Sequence, residues 1–520
     1  MMWLKKYRWQ LLVFVSLFFL GILVFWKALS LNFLADDYIW LLEARDTTVN
    51  DLGSYYLVAD GFFYRPTTKI YFWLLYQVFG VNAGVFHAIN LLWHILNAGL
   101  VYLLARRIFE SNSENVRSVK AWFVAAAFLV HPVHVEATVW VSAVTELLPA
   151  TGILLSMLMV GKRELLNMRL KLGGTAILGL LYFFAVGGHE YAILLPLILF
   201  LWQVYLNGHD SLRTACKHVL KEEKVLYFVL GIVGSAYLVL RYIANSHWQG
   251  GDYSYDLMVL PVNLVANALA YVALSIIGPE YYSHYLWLRG YMRANFGVVV
   301  LAALISAIVC FWGRSTIMSY LRNKKLLCGL GVYLLLLMVF LPLGNIAERY
   351  AYIASIWVYV LLVILAERML KMDSKVGIGL ISIFLTLNIA VLSYLFGNDD
   401  LGRERLWLLA WGLLLILNAG VIYKILTSMK LGRQVFLTMA LCLLSWGMMS
   451  YIYIVRDWHA ASAEVNAFVG YFSYACEEYA YGDSVAINVN SKVRTAWVFP
   501  VGHEQAVELV CNKKISIIRI

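Results

Sequence analysis

The chain has 520 residues, of which 62% are hydrophobic and 14% are charged, and its formal net charge is +10. This composition excludes a soluble globular domain. The basic residues are spread through short loops, so they indicate membrane topology and not a nucleic-acid partner. Hydrophobic runs of about 20 residues recur from end to end, and each can cross a hydrocarbon core of about 30 Å. We therefore predict an all-α polytopic membrane bundle.

Taken in chain order, these runs predict about thirteen transmembrane helices. Lys5, Lys6 and Arg8 place the N-terminus inside. We interpret the apolar run 259–278 as a re-entrant or surface-lying helix, because counting it as a span would move Arg314 to the outer side. The predicted spans are 9–30, 84–105, 120–139, 142–160, 173–188, 190–207, 224–245, 296–313, 326–343, 350–367, 376–396, 406–423 and 434–455.

The last part of the chain differs in character. We divide the chain into a membrane domain, residues 1–456, and a small extracytoplasmic α/β domain, residues 457–520. The second begins with a predicted amphipathic helix over 458–479. Cys476 and Cys511 both fall in it, and an oxidising exterior favours a disulfide between them. Short β-like runs follow the helix, at 484–488, 496–499, 506–510 and 515–520.

Polar side chains from several spans collect on the predicted outer face. The exterior lacks nucleotide sugars, so a transferase there needs a donor delivered through the membrane, such as a polyprenyl-phosphate-sugar. Transfer requires a base for the acceptor proton and cations for the departing phosphate. Asp36 or Asp37 suits the base, and Arg65, Lys69 and Arg349 suit the phosphate. The candidates for binding substrate, or for supporting groups that do, are Tyr64, His131, His134, Glu136, His189, Glu190 and Tyr350.

Several sequence blocks follow one another between residues 30 and 365. In order they are Phe33-Leu-Ala-Asp-Asp-Tyr38; Tyr64-Arg-Pro-Thr67 with Phe79-Gly80, Phe86-His87, Asn90 and His94; His131-Pro-Val-His-Val-Glu-Ala137 with Thr145-Glu-Leu-Leu148; and Ala347-Glu-Arg-Tyr-Ala-Tyr352. Together they resemble the GT-C superfamily of membrane glycosyltransferases. Within it they are similar to the tetratricopeptide-containing O-mannosyltransferases and their bacterial relatives.

The resemblance implies an inverting glycosyltransferase of the plasma or inner membrane, surrounded by membrane lipids. Its partners would be a polyprenyl-phosphate-sugar donor and a protein, lipid or glycan acceptor on the periplasmic or exterior side. It implies that Asp36 is the catalytic base and that Arg65 contacts the lipid phosphate. Asp37 stands where the O-mannosyltransferases usually have Glu, and His189 stands where many bacterial relatives have Lys. The resemblance therefore fixes neither the sugar nor the acceptor.

The candidate residues also have structural interpretations. Asp36 and Asp37 could cap a helix. Arg349 could pair with Glu348 or snorkel, and Glu190 could begin a helix. A stripe of polar residues along span two favours hydrogen bonds between helices over substrate contact. That stripe consists of His87, Asn90, His94 and Asn97.

Two further alternatives concern metal and activity. His131, His134 and Glu136 could bind a divalent metal ion, although such residues at a helix mouth are more often structural or substrate-binding. The sequence requires no cofactor. A membrane transporter or flippase for a lipid-linked sugar is the competing function. Ion-coupled carriers place charges near the membrane midplane, whereas here they gather at the outer helix ends.

Overall fold

The structure is a computed structural model. It describes residues 2–59, 61–109, 113–161, 168–207, 211–247, 259–279, 324–369 and 431–519, with a few positions between 255 and 304. The chain forms two compact units. The first unit comprises Met1–Tyr56, Arg65–Thr151 and Tyr359–Ile520, and the second comprises Leu57–Tyr64 and Gly152–Val358.

Nearly all of the described secondary structure is helical. The helices are α1 (Met2–Phe25), α2 (Asp37–Asp46), α3 (Ser54–Leu57), α4 (Pro66–Phe79), α5 (Ala83–Ile108), α6 (Glu114–Val130), α7 (Val135–Val139), α8 (Val144–Val160), α9 (Met168–Gly188), α10 (Leu195–Leu206), α11 (Leu212–Glu222), α12 (Lys224–Ile243), α13 (Leu260–Ile277), α14 (Lys324–Leu337), α15 (Ser355–Met369), α16 (Leu431–Tyr453), α17 (His459–Ala475) and α18 (His503–Cys511).

Seven helical segments of the described residues are long and apolar enough to cross a membrane. An eighth span is added if the pair Glu114–Val130 and Pro132–Val139, bent by 53°, crosses as one. The chain is therefore a polytopic membrane bundle. The predicted spans 296–313, 376–396 and 406–423 lie outside the described residues or nearly so, and the predicted total of thirteen stays a prediction.

The run 259–278 contains one continuous helix, α13. The helix has 18 residues with a mean hydropathy of 1.8, so it is long and apolar enough to cross a membrane. The unbroken helix gives no support to a re-entrant loop. That α13 does not cross the membrane stays a prediction. The number of spans before and after it, and so the side of each later loop, depends on this prediction.

In the first unit, helix α5 packs on α1 and α6. Its polar stripe hydrogen-bonds to the backbone of neighbouring segments. Asn90 Nδ2 donates to Val141 O at 3.1 Å, and Asn97 Nδ2 donates to Leu147 O at 3.0 Å. His94 Nε2 lies 3.0 Å from Leu129 O. Hydrogen bonding between segments is thus confirmed for the stripe, and it fixes the turn that begins at Val141.

The C-terminal segment belongs to the first unit. A π-helical turn, Ile454–Trp458, joins α16 to α17 without a break, so helix continues across the predicted domain boundary at 456/457. β1 (Ser484–Ile487) pairs in parallel with β4 (Ser516–Arg519), with Ser484 opposite Ser516. β2 (Lys492–Val493) pairs antiparallel with β3 (Ala496–Trp497).

One predicted element of this segment is wrong. Residues 506–510 alternate in a β-like manner, but they lie in helix α18. Gly502 precedes the helix with a left-handed φ of 85°. Val507 then joins a small buried core with Phe472, Ile515 and Ile517. Burial of one helical face in this core outweighs the local alternation.

The second unit is built from helix pairs. α9 packs on α12, and α10 packs on α14. α13 contacts the 3₁₀ turn Glu348–Ala351, which carries the predicted Arg349 and Tyr350.

Candidate active site

Asp37, the first residue of α2, is fully buried. Its Oδ2 accepts a hydrogen bond from the Leu34 N–H at 2.8 Å. Its Oδ1 accepts from the Ser142 N–H at 2.7 Å and also from the Ser142 hydroxyl. Trp140 adds a bond from its Nε1 to Leu34 O at 3.3 Å. Because a buried carboxylate needs such donors, Asp37 ties the loop after α1 to the turn that contains Ser142.

Asp36 has a different environment. It is half-buried and helical, with φ −60° and ψ −16°, and its side chain makes no capping hydrogen bond to α2. Its carbonyl accepts the first helical bonds, from Ile39 N at 3.0 Å and Trp40 N at 3.2 Å. The helix-capping interpretation therefore fails for the Asp36 side chain. Of the two carboxylates, Asp36 is the less buried.

Burial raises the pKa of Asp37 from 3.8 to about 7. The hydrogen bonds from Ser142 and Leu34 act in the opposite direction, and the neighbouring charge of Asp36 adds a small further rise. The net result is a carboxyl group that can keep its proton near neutral pH. This group is enclosed, so its ionisation affects the stability of the loop.

Helix α4 packs on α2 and carries two predicted phosphate-binding cations. Pro66 occupies the first turn of α4, where a missing N–H has no cost. Arg65 directly precedes it and is 8% exposed. Lys69 Nζ lies 2.6 Å from Glu43 Oε1, so its charge is engaged by a carboxylate of α2. Contact between Arg65 and a donor phosphate stays a prediction.

His131 and His134 lie in an aromatic interior. Both are fully buried. The His131 ring is 4.5 Å from the Trp446 ring, and His134 Nε2 is 3.3 Å from the Tyr359 hydroxyl. Glu136 Oε1 accepts a hydrogen bond from Trp497 Nε1 at 2.8 Å. These contacts favour the structural interpretation of both histidines and connect Glu136 to the C-terminal segment.

The structure offers no support for the metal alternative. Among the residues it describes, no three His, Cys, Asp or Glu side chains are arranged to hold a metal ion. Glu136 uses one carboxylate oxygen to accept from the Trp497 indole.

The second unit brings together two candidates that are 126 positions apart. Glu190 Oε1 accepts a hydrogen bond from the Tyr64 N–H at 3.1 Å. Arg241 Nη1 lies 3.9 Å from the same oxygen, and His189 Nδ1 lies 3.2 Å from Oε2. Tyr237 donates from its hydroxyl to Tyr64 O at 3.1 Å. Glu190 thus organises the backbone at Tyr64, beyond its place at a helix start.

Arg349 and Tyr350 lie on the 3₁₀ turn of the second unit. Tyr350 is buried and stacks on Phe340, with ring centroids 4.0 Å apart and an interplanar angle of 8°. Arg349 is half-buried, lies 4.7 Å above the Tyr350 ring and donates from Nη2 to its hydroxyl at 3.2 Å. The His189 ring is 5.7 Å from Phe340. Contact between Arg349 and a donor phosphate stays a prediction.

In the C-terminal segment, Cys476 and Cys511 form a disulfide, with their Cα atoms 5.3 Å apart. It joins the end of α17 to the end of α18 and closes the small core between them.

The sequence did not reveal several contacts that shape these sites. Ser142 lies 105 positions from Asp37, and Trp497 lies 361 positions from Glu136. Arg241 reads as an ordinary basic residue at a helix end. Glu43 carries no motif, although its place on the face of α2 towards α4 suits an ion pair.

No known protein family profile matches the sequence, and no curated protein sequence matches it. Among solved structures, ArnT from Cupriavidus metallidurans is similar to this chain. Its crystal structure bound to undecaprenyl phosphate superposes with a TM-score of 0.56, and the apo structure with 0.55. Each match has 12% sequence identity and covers 98% of this chain and 85% of ArnT. The chain has the GT-C fold.

The oligosaccharyltransferase AglB from Archaeoglobus fulgidus is a weaker structural match, with a TM-score of 0.43 and 12% identity over 99% of this chain and 64% of AglB. The fold is that of a helical membrane bundle. It does not distinguish the O-mannosyltransferase-like group from other proteins of this fold, and that narrower resemblance stays a prediction.

Proposed function

We propose that this chain is a membrane glycosyltransferase that moves a sugar from a polyprenyl-phosphate-linked donor to an acceptor hydroxyl on the outer side of the membrane. The observation that carries the proposal is the division between two adjacent carboxylates. Asp37 is buried and holds the loop, whereas Asp36 is left half-buried at the start of α2. A base needs that kind of access to a reactant. The similarity to ArnT in its undecaprenyl-phosphate-bound form supports the class of donor.

The proposed reaction is a single displacement that inverts the anomeric centre. The acceptor oxygen forms a bond to the anomeric carbon as the bond from that carbon to the phosphate oxygen breaks. Asp36 takes the acceptor proton. The donor phosphodiester becomes a polyprenyl phosphate monoester with one more negative charge, and Arg65 stabilises it through its planar fork of N–H donors.

The test is sugar transfer from a radiolabelled polyprenyl-phosphate-sugar by the purified protein, with Asp36→Asn compared with wild type. We expect transfer to fall by about 10²–10⁴-fold, the usual contribution of a general base. Asp46→Asn is the matched control, because Asp46 lies on the same helix and its side chain is 55% exposed. The control should keep the wild-type rate.

Full activity of Asp36→Asn would refute the base assignment. Loss in Asp37→Asn alone, with the fold intact, would move the role by one residue. The flippase alternative predicts that lipid-linked sugar crosses vesicle membranes without any transfer to acceptor, and that the Asp36 substitution leaves this movement unchanged.

A further inference from the structure

The residue before Asp36 has an unusual backbone. Ala35 has a φ of +49°, in the left-handed region that a side chain disfavours. It is fully buried, and its N–H donates to Val498 O at 2.9 Å. Val498 lies in the C-terminal segment, just after β3. The strained residue is therefore held by a part of the chain more than 450 positions away.

Gly502 makes a second backbone contact with the same residue. Its φ is +85°, and a Cβ atom built there would lie 2.2 Å from Ala35 O and 2.8 Å from Ala35 C. No real Cβ atom tolerates such distances, and the obstructing atoms belong to the backbone. Only glycine lets these two backbone segments approach so closely. Gly502 and Val498 thus hold Ala35 from the C-terminal segment.

The C-terminal segment also contacts both flanks of the loop. On one side, Asn32 N–H donates to Ser462 Oγ at 2.9 Å, and Asn32 Nδ2 donates to Asn466 Oδ1. On the other side, the Tyr38 ring lies 5.7 Å from the Phe499 ring. The loop 32–38 is therefore bound to the C-terminal segment before, at and after Ala35. The Asp37 carboxylate holds the same loop from the Ser142 side.

We infer that the C-terminal segment positions Asp36 for catalysis, with Gly502 as the positioning residue. The inference rests on the proposed function, since it assigns the purpose of the contact to the base. Displacement of the Ala35 carbonyl moves the peptide unit that joins Ala35 to Asp36. A shift of about 1 Å in a reacting group can reduce the rate by about 10²-fold. The C-terminal segment itself performs no chemistry.

The experiment compares Gly502→Ala with Gly482→Ala. Gly482 lies in the same segment and has a φ of +88°, but a Cβ atom added to it would meet no atom within 4 Å. Both variants carry the same left-handed strain, and only Gly502→Ala adds the collision with Ala35. We expect kcat to fall by about 10²-fold in Gly502→Ala with the donor KM unchanged. Gly482→Ala should keep the wild-type kcat.

Hydrogen–deuterium exchange supplies a readout that needs no activity. Exchange in peptides covering residues 32–38 should rise in Gly502→Ala and stay at the wild-type level in Gly482→Ala. If the wild type transfers no sugar, the proposed function fails while this contact is still measured. Equal kcat in the two glycine variants, or unchanged loop exchange in Gly502→Ala, would overturn the inference.

If Gly502→Ala does not fold, Ser462→Ala tests the same inference with a smaller change. Ser462→Ala removes only the hydroxyl that accepts from Asn32. Its control is Ser473→Ala on the same helix, where the exposed hydroxyl donates to Gly470 O. Loop exchange should rise and kcat should fall in Ser462→Ala alone, again at constant donor KM. Matching behaviour of the two serine variants would overturn the inference.

Discussion

Ser142 donates both its backbone N–H and its hydroxyl to one oxygen of the Asp37 carboxylate, while the other oxygen accepts from Leu34. This relationship separates two adjacent acids that look equivalent in sequence. A carboxylate with three donors in a buried site is held rigidly and is not available to a substrate. Its neighbour Asp36, half-buried at the same helix start, is the carboxylate that we propose as the base.

The Ser142 hydroxyl should contribute measurably to stability. Hydrogen bonds to a charged group are worth about 1.5–3 kcal/mol, against about 0.5–1.5 kcal/mol for neutral pairs. At a pH above about 7, where Asp37 is ionised, Ser142→Ala should lower the free energy of unfolding by the larger amount. Ser450→Ala is the control, because that buried hydroxyl donates to the neutral Val130 O at 2.7 Å. Denaturant unfolding in detergent measures both, and an equal loss would contradict the prediction.

Asp37 should make stability depend on pH. Its pKa is raised from 3.8 to about 7 in the folded protein, so the fold holds this proton longer than the unfolded chain does. The stabilising effect of the proton is complete below about pH 4 and is lost as the pH rises through about 7. Its upper limit is about 4 kcal/mol. Asp37→Asn removes this titration. The wild type should therefore lose more stability than Asp37→Asn between those pH values. An equal loss in the two proteins, measured by thermal melting at each pH, would contradict this prediction.

Arg65 and Lys69 should respond differently to substitution. Arg65→Lys keeps the charge but loses the planar fork, so the donor KM should rise. Lys69→Met leaves Glu43 without its ammonium partner and should cost about 1–3 kcal/mol of stability. In the folded fraction of Lys69→Met the donor KM should stay unchanged. A raised KM in that variant would return Lys69 to the phosphate site.

The disulfide should stabilise the C-terminal segment. Cys476 and Cys511 are 35 positions apart, and closing a loop of that length is worth roughly 3–4 kcal/mol by chain-entropy reasoning. We expect the double variant Cys476→Ser, Cys511→Ser to unfold its C-terminal segment at lower denaturant concentration. Cys442→Ser, which replaces a buried free thiol, serves as the control. Limited proteolysis of the segment measures the difference, and equal protection would refute it.

The C-terminal segment should face the outside of the cell. Tyr474 on α17 is 91% exposed, so Tyr474→Cys offers an accessible thiol. A membrane-impermeant maleimide should label it in intact cells. Lys217→Cys lies between the predicted spans 190–207 and 224–245, in a loop that the predicted topology places inside. It should be labelled only after lysis, and both variants are made in a Cys216→Ser background. Labelling of Tyr474→Cys only after lysis would mean that α13 crosses or that another span is miscounted.

The sequence by itself determined the class of the molecule and the place of its acidic loop. Hydropathy is a local property, so the long apolar runs identified membrane helices without any knowledge of their partners. Helical spacing likewise placed Asn90 and Asn97 on one face of span two, and that face bonds to neighbouring segments. Such 3.6-residue periodicity depends on only a few consecutive turns of the chain.

Only the tertiary structure distinguished residues that look equivalent in the sequence. Asp36 and Asp37 differ because Ser142, 105 positions away, comes to one of them. Lys69 of α4 pairs with Glu43 because α2 packs against that helix. Residues 506–510 are helical because Val507 joins the core around Phe472, and Gly502 is required because Ala35 lies against it. Each of these outcomes depends on a contact with a partner that is distant in the chain. The free energy of such a contact cannot be inferred from the local sequence pattern.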